Sequence, residues 1–198
     1  RNAKPGETEK EFSARLASEL EERINMEGPE TVAAFIAEPV MGAGGVVIPP
    51  KNYYENMQKV LNKYDIMFIA DEVITGFGRT GNLWGSETFS IKPNSLTCAK
   101  ALSSAYLPIS AIMVDSDISD LLTDQSKKIG TFAHGFTYSA HPVCAAVALR
   151  NLQLIEERSV LEHVRKISPT FLIVFNASAL SSFSNFKNCD KDLQYLLA

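Results

Sequence analysis

An apolar run, IMFIA, stops at two adjacent carboxylates, Asp71 and Glu72, and a second short run, SLTCA, stops at Lys100. Both are brief and bounded by turn residues, the pattern of buried strands in a mostly parallel sheet rather than of helices. Open α/β sheets take their ligands outside the carboxyl ends of the strands, so Asp71 and Lys100 are expected to converge on one small molecule. Period-two alternation sends the side chains of Asp71 and Glu72 to opposite faces, so only one of the two carboxylates can serve that ligand. Taken alone, each group has a plainer reading: a solvated lysine after a strand, and a hydrated strand end.

A lysine amine in an apolar or cationic surround loses its proton readily and condenses with an aldehyde to a Schiff base. Pyridoxal phosphate carries such an aldehyde, and its ring withdraws electrons best when a fixed carboxylate keeps the pyridine nitrogen protonated. An acid and an amine at one sheet edge therefore suit this cofactor.

The elements needed to position them follow in order. From Thr8 to Met26, Phe12, Leu16, Leu20 and Ile24 recur at spacings of four among charges, which predicts an amphipathic helix stopped by Gly28 and Pro29. TVAAFIAEPV predicts a strand delivering Glu38 to the same edge, and the glycine-containing loop MGAGGVVIPP follows it. Asn52 is expected to cap a helix to about Tyr64 with Tyr54, Met57, Val60 and Leu61 inward. Strand, helix and strand then form a βαβ unit with a right-handed crossover. TGFGRTG reads as an ordered turn over Phe77 and Trp84, with Arg79 bonding turn carbonyls. ISAIMVD predicts an antiparallel strand at one margin of the sheet. Residues 118–129 form a short helix, GTFAHGFTYSAHP a long loop, and the chain after Pro142 a strong helix, with Pro at its first turn. The fold class is thus α/β, a mostly parallel sheet with helices on both faces.

Three ordered motifs, IADEVITGFGRTG, CAKALSSAYLPISAIMV and HGFTYSAHPVCAA, closely resemble those of the class III aminotransferases, fold type I pyridoxal-phosphate enzymes. Within that class the chain is most similar to the plant-type gamma-aminobutyrate transaminases, which use pyruvate or glyoxylate. The resemblance implies that Lys100 is the Schiff-base lysine and then the proton-transfer base. It implies that Asp71 partners the pyridine nitrogen, that Val73 presses on the ring, and that Thr137 reaches the cofactor phosphate of a neighbouring subunit in a homodimer. Thr137 also has the reading of a loop hydroxyl bonding its own backbone. Glu38 resembles the glutamate of an E-P motif that pairs with an arginine and swings aside for dicarboxylate substrates. Two departures stand out. Ile74 occupies a position where the family often has Gln, and Ala140 replaces a Gly, a costly exchange if that residue needs a positive φ. Ornithine and diamine transaminases, aminomutases and a decarboxylase share these motifs, so substrate choice rests on similarity alone.

Composition excludes other classes. The 198 residues are 45% hydrophobic and 21% charged, with 19 Lys and Arg against 23 Asp and Glu, a net charge of −4 that offers no basic face to nucleic acid. No apolar run approaches the roughly 20 residues that cross a bilayer, so no membrane partner is expected. Cys98, Cys144 and Cys189 show neither disulfide nor zinc spacing and are expected as reduced thiols. The chain opens on Arg1, and past Arg165 the pattern changes, so residues 1–165 read as a partial cofactor-binding domain and 166–198 as an atypical tail. The resemblance places a full-length parent in mitochondria, and a cofactor-binding but non-catalytic fragment is the rival reading.

Overall fold

The computed structural model describes residues 2–170, so the expectation for residues 166–198 lies mostly outside the described part. Four strands make one sheet in the order β1 (Ala34–Ala37), β2 (Met67–Asp71), β3 (Ser95–Cys98) and β4 (Ala111–Val114). The first three run parallel and β4 is antiparallel at the margin, as expected from sequence. Register sets Ala37 beside Ala70, Ala70 beside Leu96, and Asp71 beside Thr97.

The pleat sorts residues by face. Phe68, Ala70, Leu96 and Cys98 are buried, while Ile36 is 59% and Ile112 69% exposed on the other side. Helices α1 (Glu9–Glu27), α2 (Tyr53–Lys63) and α5 (Pro142–Glu157) bury the first face. The expectation of helices on both faces is therefore met on one face within the described residues. Helix α3 (Gly85–Thr88) is a single turn, and α4 (Ser116–Ile129) buries none of its residues. A further helix occupies 160–170.

Local chemistry accounts for the helix starts. Thr8 and Glu11 form a reciprocal capping box on α1, and Asp115 accepts from the Ile118 amide at the start of α4, 3.0 Å away. Asn52 departs from expectation: its backbone is left-handed at φ 64°, and its amide donates to Glu55 instead of capping the helix backbone. Tyr54, Met57, Val60 and Leu61 are the buried face of α2, as the periodicity implies. In α1 the deepest residues are Ser13, Ala17 and Ile24, with Leu16 and Leu20 alongside. Small side chains let α1 approach α2 closely, and the Asn56 amide donates to Ser13 Oγ across the contact at 3.1 Å. Asn94 stitches three strands: its side chain accepts from the Phe68 amide at 2.9 Å and donates to Asp115.

Glu72 closes the turn after β2. It is fully buried, and a buried carboxylate must be satisfied by hydrogen bonds. Its Oε2 accepts from the Gly85 amide (2.9 Å) and Thr75 Oγ1, and its Oε1 from the Ser86 amide (2.6 Å) and Ser86 Oγ. The two ends of the glycine turn are thereby tied together, with the Phe77 and Trp84 rings in tilted contact, centroids 4.8 Å apart. An added Cβ at Gly85 would lie 2.7 Å from Thr75, which explains glycine at that close approach.

Two measurements test this frame. In Glu72→Gln either amide orientation faces an NH₂ toward a backbone N–H, so denaturant unfolding should show a loss of about 2–4 kcal/mol. The carboxyl of Glu7, bonded to Arg15 at 2.7 Å and to the Lys4 amide, is lowered from 4.5 to about 2. Because the folded value is the lower one, its stabilisation is present above pH 4.5 and is lost as pH falls toward 2. Glu7→Gln should flatten the unfolding profile in that window.

Candidate functional site

The carboxyl ends of β2 and β3 lie side by side, and the chemical residues occupy them. Asp71 is the last residue of β2 and is half-buried. Its Oδ1 accepts from the Val73 amide at 3.1 Å and from Thr97 Oγ1 at 3.3 Å, leaving Oδ2 without a bonded partner among the described residues. The Val73 contact is an Asx turn, in which the aspartate side chain substitutes for a strand bond and rotates the chain away from the sheet. The strand thus ends at Asp71, and the alternation that set Val73 on its side stops there. Val73 sits half-buried in the turn, its amide toward the Asp71 carboxylate.

Lys100 follows β3 by two residues, exposed, at the head of a short 3-10 turn from Lys100 to Leu102. Its backbone is left-handed at φ 42°, with Ser104 at 49° and Ala105 at 60°. Non-glycine residues take that conformation at a cost and cluster where a structure must aim a side chain. Among the described residues the Lys100 amine has no hydrogen bond or ion pair. Register therefore brings the free amine and the half-satisfied carboxylate to one edge on neighbouring strands.

Glu38 lies just past β1. Its Oε2 accepts from the Gly42 amide at 3.0 Å, and its carbonyl accepts from the Tyr54 hydroxyl. Burial, with Tyr53, Glu38 and Glu72 nearby, raises the Tyr54 hydroxyl's pKa. The glycine loop packs on the turn after Asp71: a Cβ at Gly42 would fall 2.4 Å from Ile74 Cδ1. Glu38 and Asp71 line one groove of about 800 Å³, with Met41, Tyr53 and Tyr54 among its walls. A second cavity of about 610 Å³ on the packed face is walled by Phe77, Trp84, Cys98, Leu102 and Leu152. There burial pushes the Cys98 thiol upward.

Thr137 is exposed in the turn 137–140, and its side chain makes no hydrogen bond among the described residues. The hydroxyl that bonds the local backbone is that of Ser139, which accepts from the Phe136 amide at 3.0 Å. Ala140 is left-handed at φ 53°, so its Cβ costs on the order of 1 kcal/mol where glycine would be unstrained. Arg79 is exposed and makes no side-chain bond among the described residues, contrary to its expected role on turn carbonyls. Sequence reasoning missed the work of Glu72; the signal was the pairing of an adjacent, oppositely directed carboxylate with the hydroxyls Thr75 and Ser86.

Among the described residues no cluster of His, Cys, Asp and Glu is arranged to hold a metal. Cys98 and Cys144 are free thiols, and Cys189 lies outside the described residues. No described helix is long and apolar enough to cross a membrane.

The chain is similar to known proteins over most of its length. Residues 2–181 match the sequence profile of the family described as aminotransferase class-III. Over 167 residues, 84% of this chain, it is 62% identical to gamma-aminobutyrate transaminase 1, mitochondrial, of Oryza sativa subsp. indica, covering 32% of that protein. It is 60% identical over the same share to gamma aminobutyrate transaminase 3, chloroplastic, of Solanum lycopersicum, again covering 32%. The chain thus spans about a third of the length of these relatives. A solved transaminase with L-alanine superposes with a TM-score of 0.87 at 54% identity, over 90% of this chain and 42% of that one. An omega transaminase of Pseudomonas jessenii in complex with PMP gives 0.84 at 53%, over 88% and 39%. A profile match over most of its length and the likeness to solved transaminases together show that the chain belongs to the class III aminotransferases, a family of pyridoxal-phosphate enzymes.

Proposed function

We propose that this chain is the cofactor-binding core of a transaminase that passes the amino group of gamma-aminobutyrate to an α-keto acid, pyruvate or glyoxylate. One observation carries the reading: the register of Asp71 beside Thr97, with Lys100 three residues further and its amine unpaired. The residues present fit pyridoxal phosphate, because Asp71 Oδ2 has an open acceptor position and the Lys100 amine is unengaged. When bound, that group supplies an electron sink for the substrate carbon next to nitrogen.

The chain's own residues then have separate tasks. Lys100 Nζ would hold the group and, when free, would serve as the base that moves a proton at the substrate carbon. Asp71 orients the ring and holds a proton at its nitrogen, while Thr97 and the Val73 amide fix the carboxylate through Oδ1. Val73 contributes apolar surface beside the ring. Glu38, which lines the same groove as Asp71, would serve the substrate's distal end. Thr137, exposed in its turn, suits a hydroxyl that serves the phosphate of a second copy in a homodimer. The named relatives include mitochondrial and chloroplastic proteins; a mitochondrial setting goes with the former.

A second reading rests on length. The chain covers 32% of its plant relatives, and catalytic groups must be held within fractions of an ångström, so this part alone would bind cofactor with little turnover. Amino transfer from gamma-aminobutyrate to pyruvate, measured on this chain beside cofactor capture, separates the two readings.

Borohydride reduction after adding pyridoxal phosphate, followed by peptide mapping, should find the label at Lys100 and lose it in Lys100→Ala. Amino transfer retained in that variant refutes the assignment. Asp71→Asn should keep the label yet slow conversion of the bound cofactor by gamma-aminobutyrate at least roughly 100-fold, since a preorganised charge is removed from the reacting ring. An unchanged rate would take Asp71 out of the site.

A further inference from the structure

We infer that Asn151, on α5, is a positioning residue that sets the aim of Lys100 by clamping the left-handed turn from which the lysine projects. The inference rests on the reading of Lys100 given above. The Asn151 side chain makes three bonds to three residues of that turn. Its Nδ2 donates to the carbonyls of Ala101 (2.8 Å) and Leu102 (3.1 Å), and its Oδ1 accepts from Ser104 Oγ at 2.7 Å.

The turn needs an external restraint. Lys100, Ser104 and Ala105 are all left-handed, a conformation that an L-residue keeps only when its surroundings over-determine it. Inside the turn the Lys100 carbonyl accepts from the Ser103 and Ala105 amides at 3.2 and 3.3 Å, and the Ser104 amide reaches Ala101 at 3.4 Å. These are longer than the bond from the Leu102 amide to the Ala99 carbonyl, 2.9 Å, that opens the turn. Asn151 supplies shorter ones from a regular helix. That helix is itself docked, since Ala148, Leu152 and Ile155 pack with Leu102, and Ser103 Oγ closes the far side by donating to the Leu107 carbonyl at 2.6 Å. Lys100 is thus tied to α5 through its neighbours although its own amine makes no hydrogen bond or ion pair among the described residues. A lysine returned to ordinary φ would leave its Cα along a different vector, and a long side chain multiplies that change at Nζ.

Asparagine is the residue type this requires. Two carbonyls and one hydroxyl converge on it, and only an amide offers two donors and an acceptor on so short a stem. Aspartate keeps the shape and the acceptor for Ser104 but faces two carbonyls with no donor.

The test uses the 198-residue chain unsubstituted, as Asn151→Ala, as Asn151→Asp and as Ser104→Ala. Amide hydrogen exchange without cofactor reads the turn, and borohydride capture of pyridoxal phosphate reads Lys100 against the exposed Lys51 and Lys92 of the same molecule. Both Asn151 variants should speed exchange at least tenfold within residues 101–106 and lower capture at Lys100 at least tenfold relative to the two reference lysines. Ser104→Ala, which removes one of the three bonds, should fall between. Faster exchange in the turn with unchanged capture at Lys100 would overturn the inference, leaving Asn151 a structural bond alone. So would unchanged exchange, or exchange raised evenly through α5 and the sheet. Failure of the unsubstituted chain to favour Lys100 over Lys51 and Lys92 would instead strike the assignment of Lys100, and this inference with it, before any variant is compared.

Discussion

The structure depends on what happens at the carboxyl end of β2, where two acids in succession are sent to opposite faces. Asp71 turns toward the open side and keeps one oxygen unengaged; Glu72 enters the core and is satisfied at both oxygens. A charge taken wholly out of water is tolerable only with such bonding. The need to satisfy Glu72 therefore dictates where Thr75, Gly85 and Ser86 must lie. Those positions in turn fix Phe77 and Trp84 against Leu96 and Cys98, which locks β3 to β2 and sets where Lys100 emerges.

The lysine side of the site follows a different logic. Asp71 is held by a strand and an Asx turn, conformations that cost little. Lys100 sits in a strained turn, several of whose own hydrogen bonds are 3.2 Å or longer. Such a turn is stable only because packing of Leu102 and bonding by Asn151 and Ser103 hold it from outside. The amine's position is thus set by α5, about fifty residues later in the chain, as much as by the strand that delivers it.

The sequence made the frame legible wherever one face of an element was buried and periodicity recorded it. Tyr54, Met57, Val60 and Leu61 are the inward face of α2, and the antiparallel margin strand and the opposite orientations of Asp71 and Glu72 are as their spacing implies. Legibility ended where the deciding contact is between residues distant in sequence or where size rather than hydropathy governs. Ser13 and Ala17 lie deeper in the α1 contact than the larger Leu16 because the helices approach at small residues. Asn52 occupies a cap position by type, yet its left-handed backbone turns its side chain to Glu55. Neither the bonds of Glu72 nor those of Asn151 leave a periodic trace. The resemblance to a known family supplied Thr137, an exposed turn residue that no local pattern marks out.

Stability and chemistry are consequently divided between the two faces of one sheet. Phe68, Ala70, Leu96 and Cys98 take the helices and the apolar burial, while Asp71 and Thr97 face the side where Ile36 and Ile112 are open. A ligand site needs an accessible face and unsatisfied polar groups, both of which a packed core forbids. Placing Asp71 and Thr97 on the sparsely covered side leaves them accessible without loosening the core. The pleat makes this possible: one residue along the chain, from Asp71 to Glu72, separates a group free to serve a ligand from one whose loss would undo the turn that positions it.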